Sequence, residues 1–143
     1  MAKKKVIVSF DYEHDAHYYR LMKAWDANDR FEFYINDMTP QEIQSESVDT
    51  IKQVLSKKIH DANYMIAIIG EHSNDEHPDS KKIGHKNWQA YEIAKNYEWG
   101  NKLVVVKIDS QYSMPIEACL SKPVVVDGFK EPLIVDALDS LSK

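Results

Sequence analysis

The sequence is poor in the residues that mark most small-domain chemistries. It holds one cysteine, Cys119, among 143 residues, so neither an internal disulfide nor a cysteine-based zinc module can form. Cys119 carries no neighbouring cue for a lowered pKa and is expected to serve packing. Glycine occurs four times, at Gly70, Gly84, Gly100 and Gly128, always isolated and never in the first strand–helix turn. A phosphate cradle needs closely spaced glycines there so that backbone N–H groups can approach the anion. Their absence argues against Rossmann-type dinucleotide binding, Walker-type ATPase chemistry and a flavodoxin-type FMN loop. Positive charge is scarce as well: 18 Lys+Arg face 23 Asp+Glu, a formal charge of −5. Nucleic acid and anionic membranes, which need clustered positive surface, are not expected partners. The one basic run, Lys3–Lys5, leads into a strand rather than an apolar signal region. The longest apolar runs, Met65–Ile69 and Leu103–Val106, are too short to span a bilayer. Repeats, low-complexity tracts and linkers are missing. A soluble cytoplasmic protein of one domain, with a radius of gyration of roughly 15 Å, is the expectation.

Apolar runs of strand length alternate with helix-period stretches from one end to the other. Strands are expected at Val6–Phe10, Phe31–Ile35, Tyr64–Ile69, Lys102–Ile108 and Pro123–Val126. The alternation of Phe31–Ile35 suits an edge strand, and the unbroken Tyr64–Ile69 suits the buried centre of a parallel sheet. Helices are expected over Asp15–Ala27, around Val48, Ile51, Leu55 and Ile59, over Asn87–Trp99, and over Pro132–Leu141. In the third of these, Ala90, Ile93, Ala94 and Tyr97 form the expected sheet-packing face, and Gly100-Asn101 the stop. Five strands joined by helices imply an α/β fold of three layers with a parallel sheet. The flavodoxin-like order 2-1-3-4-5 places the most apolar strands centrally.

Ligands in such sheets sit beyond the carboxyl ends of the strands, near the switch point between strands one and three. The segments to inspect are Asp11–Asp15, Asn36–Gln44, Gly70–Lys86 and Asp109–Lys122. A phospho-acceptor receiver fails there, because strand three ends in Gly70 rather than aspartate. Six histidines, among them His14 and His17 at i, i+3 and His72, His77 and His85 in one loop, show no HExxH-like spacing. No metal site is expected. A serine-hydrolase elbow of the GxSxG type is absent too. What remains is Trp88 and Glu92, four residues apart on one face of the third long helix, with Tyr91 beside them. From spacing alone Glu92 reads as an ordinary surface residue and Trp88 as core.

Two stretches carry a resemblance. Val6-Ile7-Val8-Ser9-Phe10-Asp11-Tyr12 is similar to the opening strand motif of TIR domains, in particular the TIR-like proteins of bacterial Thoeris anti-phage defence (ThsB-like). Trp88-Gln89-Ala90-Tyr91-Glu92-Ile93 resembles their Trp-x-x-x-Glu helix motif, and Asn101–Val106 the strand that follows. The resemblance spans residue 5 to about 110 and implies a single TIR-like domain over residues 1–143. It implies an NAD-consuming enzyme with Glu92 as the catalytic residue and NAD as substrate rather than cofactor. Phe10, Asp11 and Tyr12 would line the nucleotide pocket; Asp37 and Ser73, which match family positions more loosely, and Trp88, which could stack on a ring, would be further substrate-binding positions. His14, in the loop after strand one, either contacts a phosphate or the acceptor or simply begins the first helix. Gln89 stands where many TIR domains have cysteine, and the Gly70–Lys86 loop is unusually long.

The chemistry suits so sparse a site. Nicotinamide leaves without a general acid, and positive charge grows on the ribose as in glycoside hydrolysis. One carboxylate can stabilise that cation while aromatic rings exclude water. Capture by water, by the adenine of the same molecule, or by another acceptor gives hydrolysed, cyclic or conjugated ADP-ribose. The resemblance further implies a homo-oligomer when active. With no second domain expected, a separate effector protein would receive the diffusible nucleotide. A non-catalytic interaction module, or a sensor holding NAD or ADP-ribose without turnover, remains the alternative.

Overall fold

The computed structural model describes residues 4–26, 33–36 and 47–141. Its elements run β1 (Lys4–Ser9), α1 (Ala16–Asp26), β2 (Phe33–Asn36), α2 (Val48–Asp61) and β3 (Tyr64–Ile69). There follow α3 (Ser80–Ile83), α4 (Trp88–Glu98), β4 (Lys102–Lys107), α5 (Ile116–Leu120), β5 (Val124–Asp127) and α6 (Glu131–Leu141). The five strands are all parallel, in the order β2-β1-β3-β4-β5 expected from the apolar pattern.

Side chains of a strand alternate between faces, and the two apolar layers divide accordingly. Val6 and Val8, Tyr64, Ile66 and Ile68, and Val104 and Val106 face one side, against Tyr19 and Met22 of α1 and Ile134 and Leu138 of α6. Ile7, Met65, Ala67, Ile69, Leu103 and Val105 face the other, against Ile59 of α2, Ile93 of α4 and Ala118 of α5. β3 is buried at all six positions, which is why its sequence is apolar without interruption. Edge strand β2 lies beside β1 alone. Helix ends are marked locally: Ser47 Oγ accepts from Thr50 N at 3.3 Å at the start of α2. Past α4 the chain turns at Gly100, whose φ of +77° suits a residue without a Cβ.

Chain direction creates the crevice. After β1 the backbone passes to the α1 face, and after β3 it passes to the α4 face. Pairing between β1 and β3 stops at Ser9↔Ala67, whereas β3 and β4 stay paired to Ile69↔Lys107. The ends of β1 and β3 therefore part at the switch point.

Several expectations need correction. Gly70–Lys86, read as one long loop, contains the short helix α3, and α5 falls within Asp109–Lys122; four and five residues give too little periodicity to read. Cys119 does not pack: it is exposed on α5, while its neighbour Ala118 takes the buried position. Tyr97, placed on the sheet-packing face by its spacing from Ile93, is 57% exposed, and Ala94 is only half-buried. Among the described residues no helix is long and apolar enough to cross a membrane.

Gly70, the residue after β3, holds the β1–α1 and β3–α3 loops together by being small. A Cβ there would collide with the carboxylate of Asp15. Gly70→Ala is expected to destabilise the fold by about 1–3 kcal/mol, the usual cost of overpacking. In an Asp15→Ala background the same change should cost clearly less. Urea midpoints of the four proteins check this, and equal costs in both backgrounds would mean the contact is not the constraint.

Candidate functional site

A cavity of about 320 Å³ opens where β1 and β3 part. Its walls come from Phe10–His14 after β1, from His72, Ser73 and Asp75–Pro78 after β3, and from Asn87, Trp88 and Gln89 at the start of α4. Asn87 joins two of these walls. Its Oδ1 accepts from Ala90 N at 2.8 Å, capping α4, while its Nδ2 donates to Ser73 O and Asp75 O, both at 2.9 Å. The long loop is thereby tied to the helix that follows it.

Beside the buried Ala90 and Ile93, the inward side of α4 carries a polar stripe. Gln89, Glu92 and Asn96, at i, i+3 and i+7, are 3%, 1% and 0% exposed. Each meets the polar end of a strand. Gln89 Nε2 donates to Ser9 O at 3.1 Å and Ile68 O at 2.7 Å. Asn96 Nδ2 reaches Asn101 O and Lys102 O at 3.4 and 3.3 Å. Glu92 Oε1 accepts from Ser9 Oγ and from Tyr12 Oη, both at 2.8 Å. Ser9 and its register partner Ala67 are small and stand on this face, leaving room for the buried polar side chains.

Glu92 is therefore no surface residue. Burial is the dominant influence on its carboxyl and pushes its pKa up to about 8, against the two hydroxyl hydrogen bonds that favour the charged form. It lies behind the cavity wall rather than in it, whereas Tyr12 both lines the cavity and bonds Glu92. Tyr12 is held edge-on to Phe10, with centroids 4.8 Å apart, and Phe10 stacks on Tyr19 at 5.0 Å. Trp88, 8% exposed, forms part of the opposite wall and meets Tyr91 at right angles.

Charge at the rim comes from carboxylates and imidazoles. Asp11, Glu13, Asp75 and Glu76 line the cavity with His14, His72 and His77, and no Lys or Arg is among the described lining residues. The His14 and His72 rings stack at 3.7 Å, joining the two loops across the entrance. Each also faces a carboxylate: His14 Nδ1 is 3.2 Å from Asp11 Oδ2, and His72 Nδ1 is 2.8 Å from Asp75 Oδ2. The bond to Asp75 raises the His72 pKa, with desolvation opposing. Beneath them Asp15 is buried and its carboxyl is raised, first by burial and then by Asp11, with His17, His14 and His72 pulling it back.

The structure thus brings Phe10, Asp11, Tyr12, His14, Ser73 and Trp88 to one cavity, with Glu92 behind Tyr12. Ser73 Oγ is already engaged, accepting from Gly70 N at 3.0 Å. His14 is at the cavity rim, outside α1. Asp37 lies outside the described residues. Sequence reasoning missed the enclosure of Glu92 and the parts played by Gln89, Asn87 and His72. A cap asparagine one residue before α4 was readable; the distant pairing of His72 with His14 had no local signal.

The family model described as "Thoeris protein ThsB, TIR-like domain" matches residues 7–113. No curated protein matches. Among solved structures, the chain is similar to the CMP N-glycosidase BcmB of Clostridium botulinum, with a TM-score of 0.61 at 15% identity, over 96% of this chain and 99% of that one. It is also similar to a 2-desoxiribosyltransferase from Leishmania mexicana, with a TM-score of 0.49 at 13% identity, over 74% and 65% of the two chains. At such identity the first likeness shows a shared fold.

The raised Glu92 pKa fixes a sign for stability. Folded Glu92 keeps its proton to about pH 8, and an ordinary glutamate loses it near 4.5. Between those values the folded state binds the additional proton, so this group's contribution falls as pH rises, by up to about 1.4 kcal/mol per pH unit. Glu92→Gln, which keeps an oxygen for Ser9 and Tyr12, should remove that decline. Its stability relative to the parent should be similar at pH 4.5 and higher by a few kcal/mol at pH 8, read by chemical denaturation. A difference independent of pH would show Glu92 to be ionised in the folded protein.

Proposed function

We propose that this chain, which belongs to the family of Thoeris ThsB TIR-like domains, breaks the nicotinamide–ribose bond of NAD and releases an ADP-ribose-derived signalling nucleotide. One observation carries the proposal: Glu92, on the Trp88–Glu92 motif, is a buried carboxyl held by two hydroxyls directly behind a cavity at the switch point. The CMP N-glycosidase of similar fold is named for N-glycosidic cleavage of a nucleotide, which supports a scaffold suited to that class of bond.

The pyridinium nitrogen of NAD takes the bonding electron pair and leaves as neutral nicotinamide, so no proton has to be supplied. Positive charge develops at the ribose carbon, and an ionised Glu92 stabilises it in a dry setting where one carboxylate counts for much. A ribose hydroxyl meets that carboxylate by taking the place of the Tyr12 hydroxyl. Phe10, Tyr12 and Trp88 supply aromatic walls that keep water out. The four rim carboxylates attract the positively charged nicotinamide ring to the cavity. The cationic ring in turn lowers the Glu92 pKa when it arrives, favouring the form that does the work. NAD is a substrate here and no resident cofactor takes part. The active form is a homo-oligomer, and a separate effector receives the product in the cytoplasm.

A second reading, a non-catalytic interaction or nucleotide-sensing module, is favoured by the closed position of Glu92 behind Tyr12. Binding of NAD or ADP-ribose by calorimetry without any product would support it.

Purified protein and lysates of phage-infected cells are assayed for nicotinamide and ADP-ribose species by liquid chromatography–mass spectrometry, with Glu92→Gln in parallel. Turnover should fall at least roughly 100-fold in that variant. Unchanged release by a folded Glu92→Gln protein would sink the enzyme reading, and the product mass separates hydrolysis, cyclisation and conjugation. Over pH 6–9, kcat/KM should rise with pH, reach half its maximum near pH 8, where free Glu92 ionises, and level above that. A flat profile would show Glu92 to be ionised throughout that range, and the Glu92→Gln comparison alone would then decide its part in the chemistry.

A further inference from the structure

We infer that Gln89 is a specificity-determining residue whose carbonyl oxygen accepts a hydrogen bond from the carboxamide N–H of the bound nicotinamide. The inference rests on the NAD reading above.

The orientation of this amide is settled by its partners. Its nitrogen lies 3.1 Å from Ser9 O and 2.7 Å from Ile68 O. Both are backbone carbonyls, which accept hydrogen bonds and cannot donate them, so only the –NH₂ end can face them. Oε1 must therefore point the other way. It is buried with no hydrogen-bond partner, on a residue that is 3% exposed and lines the cavity. A buried acceptor left unpaired destabilises the empty protein, and a ligand donor placed there recovers what was lost. Asn96 has the same one-sided pairing at the other end of α4, but it does not line this cavity.

Two neighbouring polar side chains of the cavity are engaged. Asn87 caps α4 with its oxygen and staples the loop with its nitrogen, and Ser73 Oγ accepts from Gly70 N. Gln89 precedes Glu92 by three residues, on the same face of the helix and nearer the cavity. With Glu92 at the ribose, the group beside Gln89 is the one attached to the reacting carbon. Nicotinamide has a single kind of donor, its carboxamide N–H₂. An oxygen that can only accept is matched to that group and mismatched to a carboxylate or a methyl ketone at the same ring position.

The test uses the unmutated protein and three dinucleotides: NAD, its 3-acetylpyridine analogue, in which a methyl replaces the –NH₂, and its thionicotinamide analogue, which keeps the –NH₂. The acetylpyridine analogue should show kcat/KM at least roughly tenfold below NAD, as for the loss of one hydrogen bond to a buried group, with the thionicotinamide analogue within a few-fold. Gln89→Met, similar in length but without the acceptor, should bring the acetylpyridine and NAD values together. If circular dichroism shows Gln89→Met unfolded, Gln89→Lys replaces it, since its ammonium can still donate toward Ser9 O and Ile68 O. Equal rates for NAD and the acetylpyridine analogue in the unmutated protein would overturn the inference, as would a discrimination that survives in the folded variant. Absence of turnover with all three, in purified protein and in infected lysate, would instead overturn the NAD reading on which it stands.

Discussion

A carboxyl group buried to 1% exposure organises the centre of this molecule. Taking a carboxylate out of water is costly unless it is neutralised or given donors, and Glu92 receives donors from two directions, Ser9 at the end of β1 and Tyr12 beyond it. Meeting that requirement governs the surroundings. Small side chains stand opposite α4 at Ser9 and Ala67, so the helix can bring polar side chains against the sheet. The Tyr12 ring is propped by Phe10 and, through it, by Tyr19 of α1, which places the hydroxyl over the carboxyl. On the far side, Tyr91 Oη donates to Lys52 O at 3.0 Å, holding α4 to α2. The same setting that makes the charge expensive makes it effective, because a carboxylate without water around it interacts strongly with any cation brought to it.

How legible was this in the chain itself? Strands β3 and β4 announce themselves as unbroken apolar runs, because both of their faces are covered, and the strand order followed from which runs were most apolar. The alternation that placed β2 at an edge likewise corresponds to its position. Helix α4 is legible only in part: Ala90 and Ile93 are buried as their spacing predicts, and the remainder departs for a physical reason. Reading by periodicity looks for an apolar stripe, and Ala90, Ile93, Ala94 and Tyr97 supply one. The stripe that meets the strand ends is Gln89, Glu92 and Asn96, whose burial depends on backbone carbonyls and hydroxyls contributed by other elements. Such partners are separated by up to 83 residues and leave no local mark. The motif resemblance singled out Glu92 where periodicity did not, while the enclosure that shifts its proton affinity needed coordinates.

The rim carries a different kind of electrostatics from the interior. Its carboxylates are solvated and its imidazoles half-exposed, so their interactions are screened and adjustable. Loop-to-loop contacts there are made by side chains: His14 on His72, Asp15 against Gly70, Asn87 to Ser73 and Asp75. None of these belongs to the sheet ladder, so the loops are positioned by a layer of contacts separate from the one that stabilises the strands. The arrangement lets loop chemistry vary on a scaffold whose core is unchanged, as is usual for sites at the carboxyl ends of parallel sheets.

The amide of Gln89 also has a mechanical meaning. Where β1 and β3 cease to pair, the gap between Ser9 O and Ile68 O is bridged by one side chain in place of a backbone ladder. A bridge of this kind is a spacer: the separation of the two strand ends is set by the reach of the group between them. A shorter residue at this position, such as the cysteine of many TIR domains, cannot span both carbonyls with paired donors. The strand ends must then close up or admit water between them. One position on a helix thus calibrates the aperture of the crevice, and a substitution there retunes its width without altering a single residue of the sheet.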